Sequence, residues 1–122
     1  MLKRTTINFV NDTLSKNIDW KILDIGCGIG GSSSILANDY GLNLLGITIS
    51  KEQVERANQL TPPECNCRFQ QMDALNLDFP DGTFDGVWSV EAGAHILEKQ
   101  LFADQMLRVL RPGGFLAVAD WN

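Results

Sequence analysis

The chain has 122 residues, 44% of them hydrophobic and 20% charged, which suits one globular domain with its own core and argues against a disordered segment. A formal net charge of −5 without any basic run argues against nucleic acid or an anionic membrane as the main partner. No long apolar stretch follows Met1-Leu2-Lys3-Arg4, so neither a signal peptide nor a membrane span is expected, and the setting reads as reduced and cytoplasmic.

In chain order, Ile7, Val10, Leu14 and Ile18 recur at helical spacing and predict a short leader helix within residues 1–19, although Phe9 falls on its opposite face. Trp20 is expected to pack beside it. A buried strand, Ile22 to Ile25, then runs into Gly26-Cys27-Gly28-Ile29-Gly30-Gly31. Glycine permits positive φ and close approach of a ligand to the backbone. The polar run Ser32-Ser33-Ser34 opens a helix to about Tyr40, with Gly41 as its C-cap. Free N–H groups at such a helix start favour oxygen-rich or anionic groups.

Leu42 to Ile49 is a second, nearly continuous apolar strand, as expected where helices cover both faces of a sheet. Ser50 is a suitable N-cap for a helix from Lys51 to Leu60, forming a capping box with Gln53, and Thr61-Pro62-Pro63 stops it. Cys67 to Met72 is a weaker third strand ending at Asp73, followed by a loop from Asn76 to Thr83 with Asp81-Gly82 as a turn. Phe84 to Val90 is the fourth strand. A helix from near Leu97 to Leu110, a turn at Arg111-Pro112-Gly113-Gly114 and a fifth strand from Phe115 to Trp121 complete the pattern.

Strands alternating with helices predict a three-layer α/β sandwich around a mostly parallel sheet. Ligands of such sheets sit at the carboxyl ends of the strands, which singles out Asp24, Thr48, Ser50, Asp73, Ser89 and Glu91. Cys65 and Cys67 form a C-x-C without a second Cys or His pair, and His95 is the only histidine, so no metal site is expected.

Gly26 to Gly31 satisfies G-x-G-x-x-G, which alone would fit a nicotinamide dinucleotide. That reading expects an acid at the end of the second strand for the ribose hydroxyls, where this chain has Thr48-Ile49-Ser50. Asp24, two residues before the first glycine, suits a ligand with a positive group better than a diphosphate. No Lys stands in the turn, which excludes a Walker phosphate loop.

Asp24-x-Gly26-x-Gly28-x-Gly30 resembles motif I of the class I S-adenosylmethionine-dependent methyltransferases. Three further segments resemble the same family in order: Asp73 to Asp85, Trp88 to His95, and Leu107-Arg108-Val109-Leu110-Arg111-Pro112-Gly113-Gly114. Gly46-Ile47-Thr48-Ile49-Ser50-Lys51-Glu52-Gln53 is similar to the small-molecule subgroup around tocopherol and sarcosine/dimethylglycine methyltransferases, which lacks the acid after strand two. The resemblance covers Trp20 to Asn122.

The resemblance implies a Rossmann-like sheet of strand order 3-2-1-4-5, without the family's sixth and seventh strands, as if truncated after the fifth. It implies S-adenosyl-L-methionine as cofactor, S-adenosyl-L-homocysteine as product and a small-molecule methyl acceptor. Asp24 would lie near the methionine ammonium, with Gly26, Cys27 and Gly28 letting the backbone approach the methionine and ribose. Thr48, Ile49 and Gln53 would take the ribose and one adenine face, and Asp73 with the Ala74 amide the adenine edge. Ser89 and Glu91 would line the transfer pocket. His95 matches a histidine that faces the acceptor and is the expected general base. Ala94 stands where tocopherol-like members tend to have Glu, which leaves that histidine without the usual acid. The fifth strand would be an open edge, so self-association through it is expected. Two other readings stay open on sequence: a cofactor-binding module without turnover, and a nucleotide-binding oxidoreductase domain.

Overall fold

The computed structural model describes residues 20–26, 42–62, 65–90 and 98–119. They form five strands and two helices: β1 (Lys21–Ile25), β2 (Asn43–Thr48), α1 (Lys51–Leu60), β3 (Cys67–Gln71), β4 (Phe84–Val90), α2 (Lys99–Val109) and β5 (Leu110–Ala119). The strands make one sheet in the order β3-β2-β1-β4-β5, every adjacent pair parallel. The expected topology is borne out. The leader helix, the segment from Cys27 to Gly41, and Glu91 to Leu97 lie outside the described residues.

The sheet is buried on both sides, which explains why its strands read as apolar runs rather than alternations. Ile22, Leu44, Phe69, Trp88, Phe115 and Ala117 share one cluster with Ala57 of α1. Leu23, Ile25, Ile47 and Val87 share the other with Phe102, Met106 and Val109 of α2. Full burial of a side chain of this size contributes about 1.5–3 kcal/mol before entropic costs, so the central strands anchor the fold.

α1 spans the residues expected of it and ends where Thr61 donates its N–H and Oγ1–H to the Ala57 carbonyl, at 3.1 and 2.7 Å. Two boundaries differ from expectation. α2 stops at Val109, and Leu110 already pairs with Phe84. Arg111 to Gly114, expected as a turn before the strand, lies inside β5 as an irregularity: the next paired residues are Gly86 and Phe115, leaving Asp85 alone on β4 against Arg111 to Gly114 on β5. Pro112 has no N–H for the ladder and Gly113 takes φ +80, so this stretch bulges instead of separating helix from strand.

The bulge is pinned by its neighbours. The Asp85 carboxylate accepts from the Arg111 guanidinium and, at 2.8 Å, from the Lys21 backbone N–H of β1. Arg111 sits 4.8 Å above the Trp20 ring, which stacks on Phe115 at 5.7 Å. A Cβ on Gly86 would fall 2.2 Å from the Phe115 ring, so the ring occupies the space this glycine leaves.

Candidate functional site

All five strands run the same way, so their carboxyl ends lie along one edge of the sheet. Ile25 of β1 pairs with Ile47 of β2 and with Ser89 of β4, and Thr48 pairs with Gln71. The register therefore sets Gly26, Thr48, Asp73 and Ser89 at the same edge: Gly26 just past the last pair of β1, Thr48 in the last pair of β2, Asp73 two residues beyond the last pair of β3, and Ser89 opposite the last residue of β1.

At the centre, Gly26 takes φ +72, and its N–H donates to the Ile47 carbonyl at 2.9 Å. The turn thus leaves β1 while still tied to β2, in a conformation that disfavours a side chain. Asp24, one pair deeper, lies between Gly46 and Trp88 in the register and is 2% exposed. The sequence thus places an acidic side chain inside the sheet, two residues before the glycine turn.

The β2 end is organised around Thr48, which is 7% exposed. Its Oγ1 accepts from the Ser50 N–H at 3.3 Å and donates to Gln53 Oε1 at 2.7 Å. Ser50 Oγ accepts from the Gln53 N–H at 3.2 Å. Only half of the expected capping box forms: the Gln53 side chain turns to Thr48, not back to the Ser50 backbone. Its Nε2 is left as an exposed donor without a partner among the described residues. Ile49 is 73% exposed, an apolar side chain at the mouth of this edge, and its carbonyl accepts from Gln71 Nε2 at 3.1 Å.

Past β3, the Met72 N–H donates to the Thr48 carbonyl at 3.0 Å, which brings Asp73 beside the β2 end. Asp73 Oδ1 accepts from the Leu75 N–H at 2.9 Å, and its carbonyl from the Asn76 N–H at 3.0 Å. Asp73 caps a turn, leaving Oδ2 without a hydrogen-bond partner among the described residues. Ala74 is half-buried against the α2 side of the core.

On β4, Ser89 is 1% exposed, and its Oγ has no hydrogen-bond partner among the described residues. The same holds for Nε1 of Trp88, which is 3% exposed. Burying such groups unpaired costs about 1–3 kcal/mol each, so both mark places where a partner is called for. Trp88 was not among the candidates: an indole in a strand reads as core, and only its orphaned nitrogen singles it out. Gln71 was missed too, because its bond to Ile49 spans two strands. Cys27, Gly28, Glu91 and His95 lie outside the described residues. Among those described, no cluster of three His, Cys, Asp or Glu side chains is placed to hold a metal, and no helix is long and apolar enough to cross a membrane.

The methyltransferase-domain family matches residues 23–118. The chain is 62% identical over 101 residues to a 2-methyl-6-phytyl-1,4-hydroquinone methyltransferase from Synechocystis sp., covering 83% of this chain and 32% of that protein. It is 44% identical over 104 residues to the chloroplastic tocopherol O-methyltransferase of Arabidopsis thaliana, covering 83% and 30%. The chain thus spans about a third of the length of these relatives. The crystal structure of the [4+2]-cyclase SpnF superposes with a TM-score of 0.79 at 30% identity, covering 91% of this chain and 44% of that one. The chain belongs to the methyltransferase-domain family.

Proposed function

We propose that this methyltransferase-family chain forms the S-adenosyl-L-methionine site of a cytoplasmic enzyme that methylates a small molecule. The observation that carries the reading is the row of unspent polar groups along one sheet edge: Gln53 Nε2, Asp73 Oδ2 and the buried Ser89 Oγ, around the Gly26 turn and the Asp24 carboxylate. These fit the cofactor group by group. Asp24 supplies the charge an ammonium needs. Gly26 leaves room for the methionine and ribose, and the family resemblance assigns Cys27 and Gly28 the same part. Gln53, oriented by Thr48, offers donors to ribose oxygens, and exposed Ile49 offers an apolar face to the purine. An adenine edge carries an amino donor and a ring-nitrogen acceptor, which Asp73 Oδ2 and the Ala74 N–H complement. Ser89 is assigned to the side towards the acceptor, and Glu91 is assigned there by the family resemblance alone.

When bound, S-adenosylmethionine supplies a methyl group already activated on a sulfonium. The chain's own task is then proximity and alignment, and removal of a proton where the acceptor is a hydroxyl or ammonium. His95 is assigned that proton because histidine is the side-chain type suited to proton exchange near neutral pH, and it is the only histidine in the chain. The acceptors to try first are phytyl hydroquinones and tocopherols, the classes named for two relatives. A second reading is a cofactor-binding module without turnover of its own; likeness to a protein named as a [4+2]-cyclase shows that one fold carries more than one chemistry.

Calorimetry with S-adenosylhomocysteine, followed by a labelled-methyl assay on those acceptors, tests the proposal. Binding with methyl transfer supports it. Binding without transfer favours the second reading, and binding of NAD in place of S-adenosylhomocysteine overturns both. His95→Ala is expected to lower kcat by about 10²–10⁴ with cofactor binding unchanged; full activity would remove its assigned role. Self-association is carried by the position of β5 at the edge of the described sheet. A single sedimenting monomer over a wide concentration range would end that expectation.

A further inference from the structure

Between β3 and β4 the described chain crosses the α2 side of the sheet without a helix, from Met72 to Thr83. Leu77 is 4% exposed, and Leu75 and Phe79 pack against the same cluster, Phe79 edge-on to Phe84 at 4.9 Å. Burial removes water from the backbone of this loop, which has no ladder to replace it.

Two side chains of α2 do so. Gln105 Oε1 accepts from the Leu77 N–H at 3.0 Å. Arg108 donates through Nη2 to the Leu77 carbonyl and through Nη1 to the Phe79 carbonyl, both at 2.7 Å. Arg108 Nη2 also donates to Gln105 Oε1 at 3.1 Å, which fixes the pair against each other. The Arg108 carbonyl in turn accepts from the Gly82 N–H at 2.9 Å. The further ion pair to Asp81, at 3.0 Å, involves a side chain 83% exposed and adds little. The planar fork is thus spent on two loop carbonyls, a geometry the single ammonium of Lys does not reproduce.

The other end of this loop is Asp73-Ala74, held to β2 through Met72 and Thr48. We propose that Arg108, with Gln105, is a positioning residue for the purine side of the cofactor site, acting from a helix that contributes no group to that site. The inference rests on the cofactor reading above. With the clamp in place, Asp73 and Ala74 meet the adenine edge in one pose. Without it the loop remains attached but samples several.

The test compares S-adenosylhomocysteine with S-inosylhomocysteine, whose purine carries an oxygen in place of the amino group. Calorimetry on the full chain gives the preference for adenine in the wild type, Arg108→Gln and Arg108→Lys. The expected result is a preference in the wild type that falls about fivefold in both variants, the worth of one hydrogen bond, with faster amide exchange at Leu77 and unchanged exchange in β1 and β4. If Arg108→Gln does not fold, Gln105→Ala is read in the same way. An unchanged preference in the folded variants, or no preference in the wild type, overturns the inference while leaving the cofactor reading standing. Failure of the wild type to bind S-adenosylhomocysteine removes both.

Discussion

Thr48 Oγ1 donates to Gln53 Oε1 at 2.7 Å, across the junction between β2 and α1. Because the same hydroxyl accepts from the Ser50 N–H, its proton is directed to Gln53, and the amide presents its NH₂ outward. A strand-end threonine thereby decides that the first exposed turn of α1 keeps its amide donors facing outward. Thr48→Val keeps the branched shape and removes both bonds. It is expected to weaken S-adenosylhomocysteine binding about fivefold, the equivalent of about 1 kcal/mol, while Thr48→Ser stays near wild type. Equal affinity of the Val variant by calorimetry would show that Thr48 does not set the amide.

Gly86 is held by packing rather than by an unusual backbone. Its missing Cβ would stand 2.2 Å from Phe115 Cε1, and the ring is locked by its stack on Trp20. Gly86→Ala is expected to destabilise the chain by about 1–3 kcal/mol, read as a lower urea midpoint with an unchanged slope. A variant as stable as wild type would mean that the ring moves aside at no cost.

Asp85 and Arg111 join β1, β4 and the β5 bulge. The pair is part-exposed, with side-chain exposures of 25% and 35%, so its coupling is expected to be modest. A double-mutant cycle with Asp85→Asn and Arg111→Gln should give about 0.5–1 kcal/mol, falling as salt is raised. The single Asp85 variant should cost more than that coupling, because the Lys21 N–H keeps only a neutral acceptor. A coupling of zero at low salt would leave the Arg111 contact with Trp20 as the main anchor of the bulge.

The order of the described strands and helices was legible because each depends on local pattern. The apolar runs at Ile22–Ile25, Leu42–Ile49 and Phe84–Val90, and the Ser50 cap, correspond to elements found within a residue or two of expectation. The turn at Gly26 was legible for the same reason, since a positive φ is a demand one residue makes on its own backbone. The β5 bulge was not. Pro112 and Gly113 read as a turn, and it is the pairing of Leu110 with Phe84 that draws them into the strand.

By itself, then, the amino-acid sequence determined the order of the described elements, the parallel sheet and the strand ends that carry Asp24, Thr48, Asp73 and Ser89, because hydrophobic period, caps and turn residues act over a few positions. Tertiary structure decided what the polar atoms at those ends do. Gln53 turns from its own helix cap to Thr48, Ser89 Oγ and Trp88 Nε1 are left buried without partners among the described residues, and Arg108 reaches 31 positions back to the Leu77 carbonyl. Such choices depend on which backbone groups burial has stripped of water, and that is known only once the strands have been brought together.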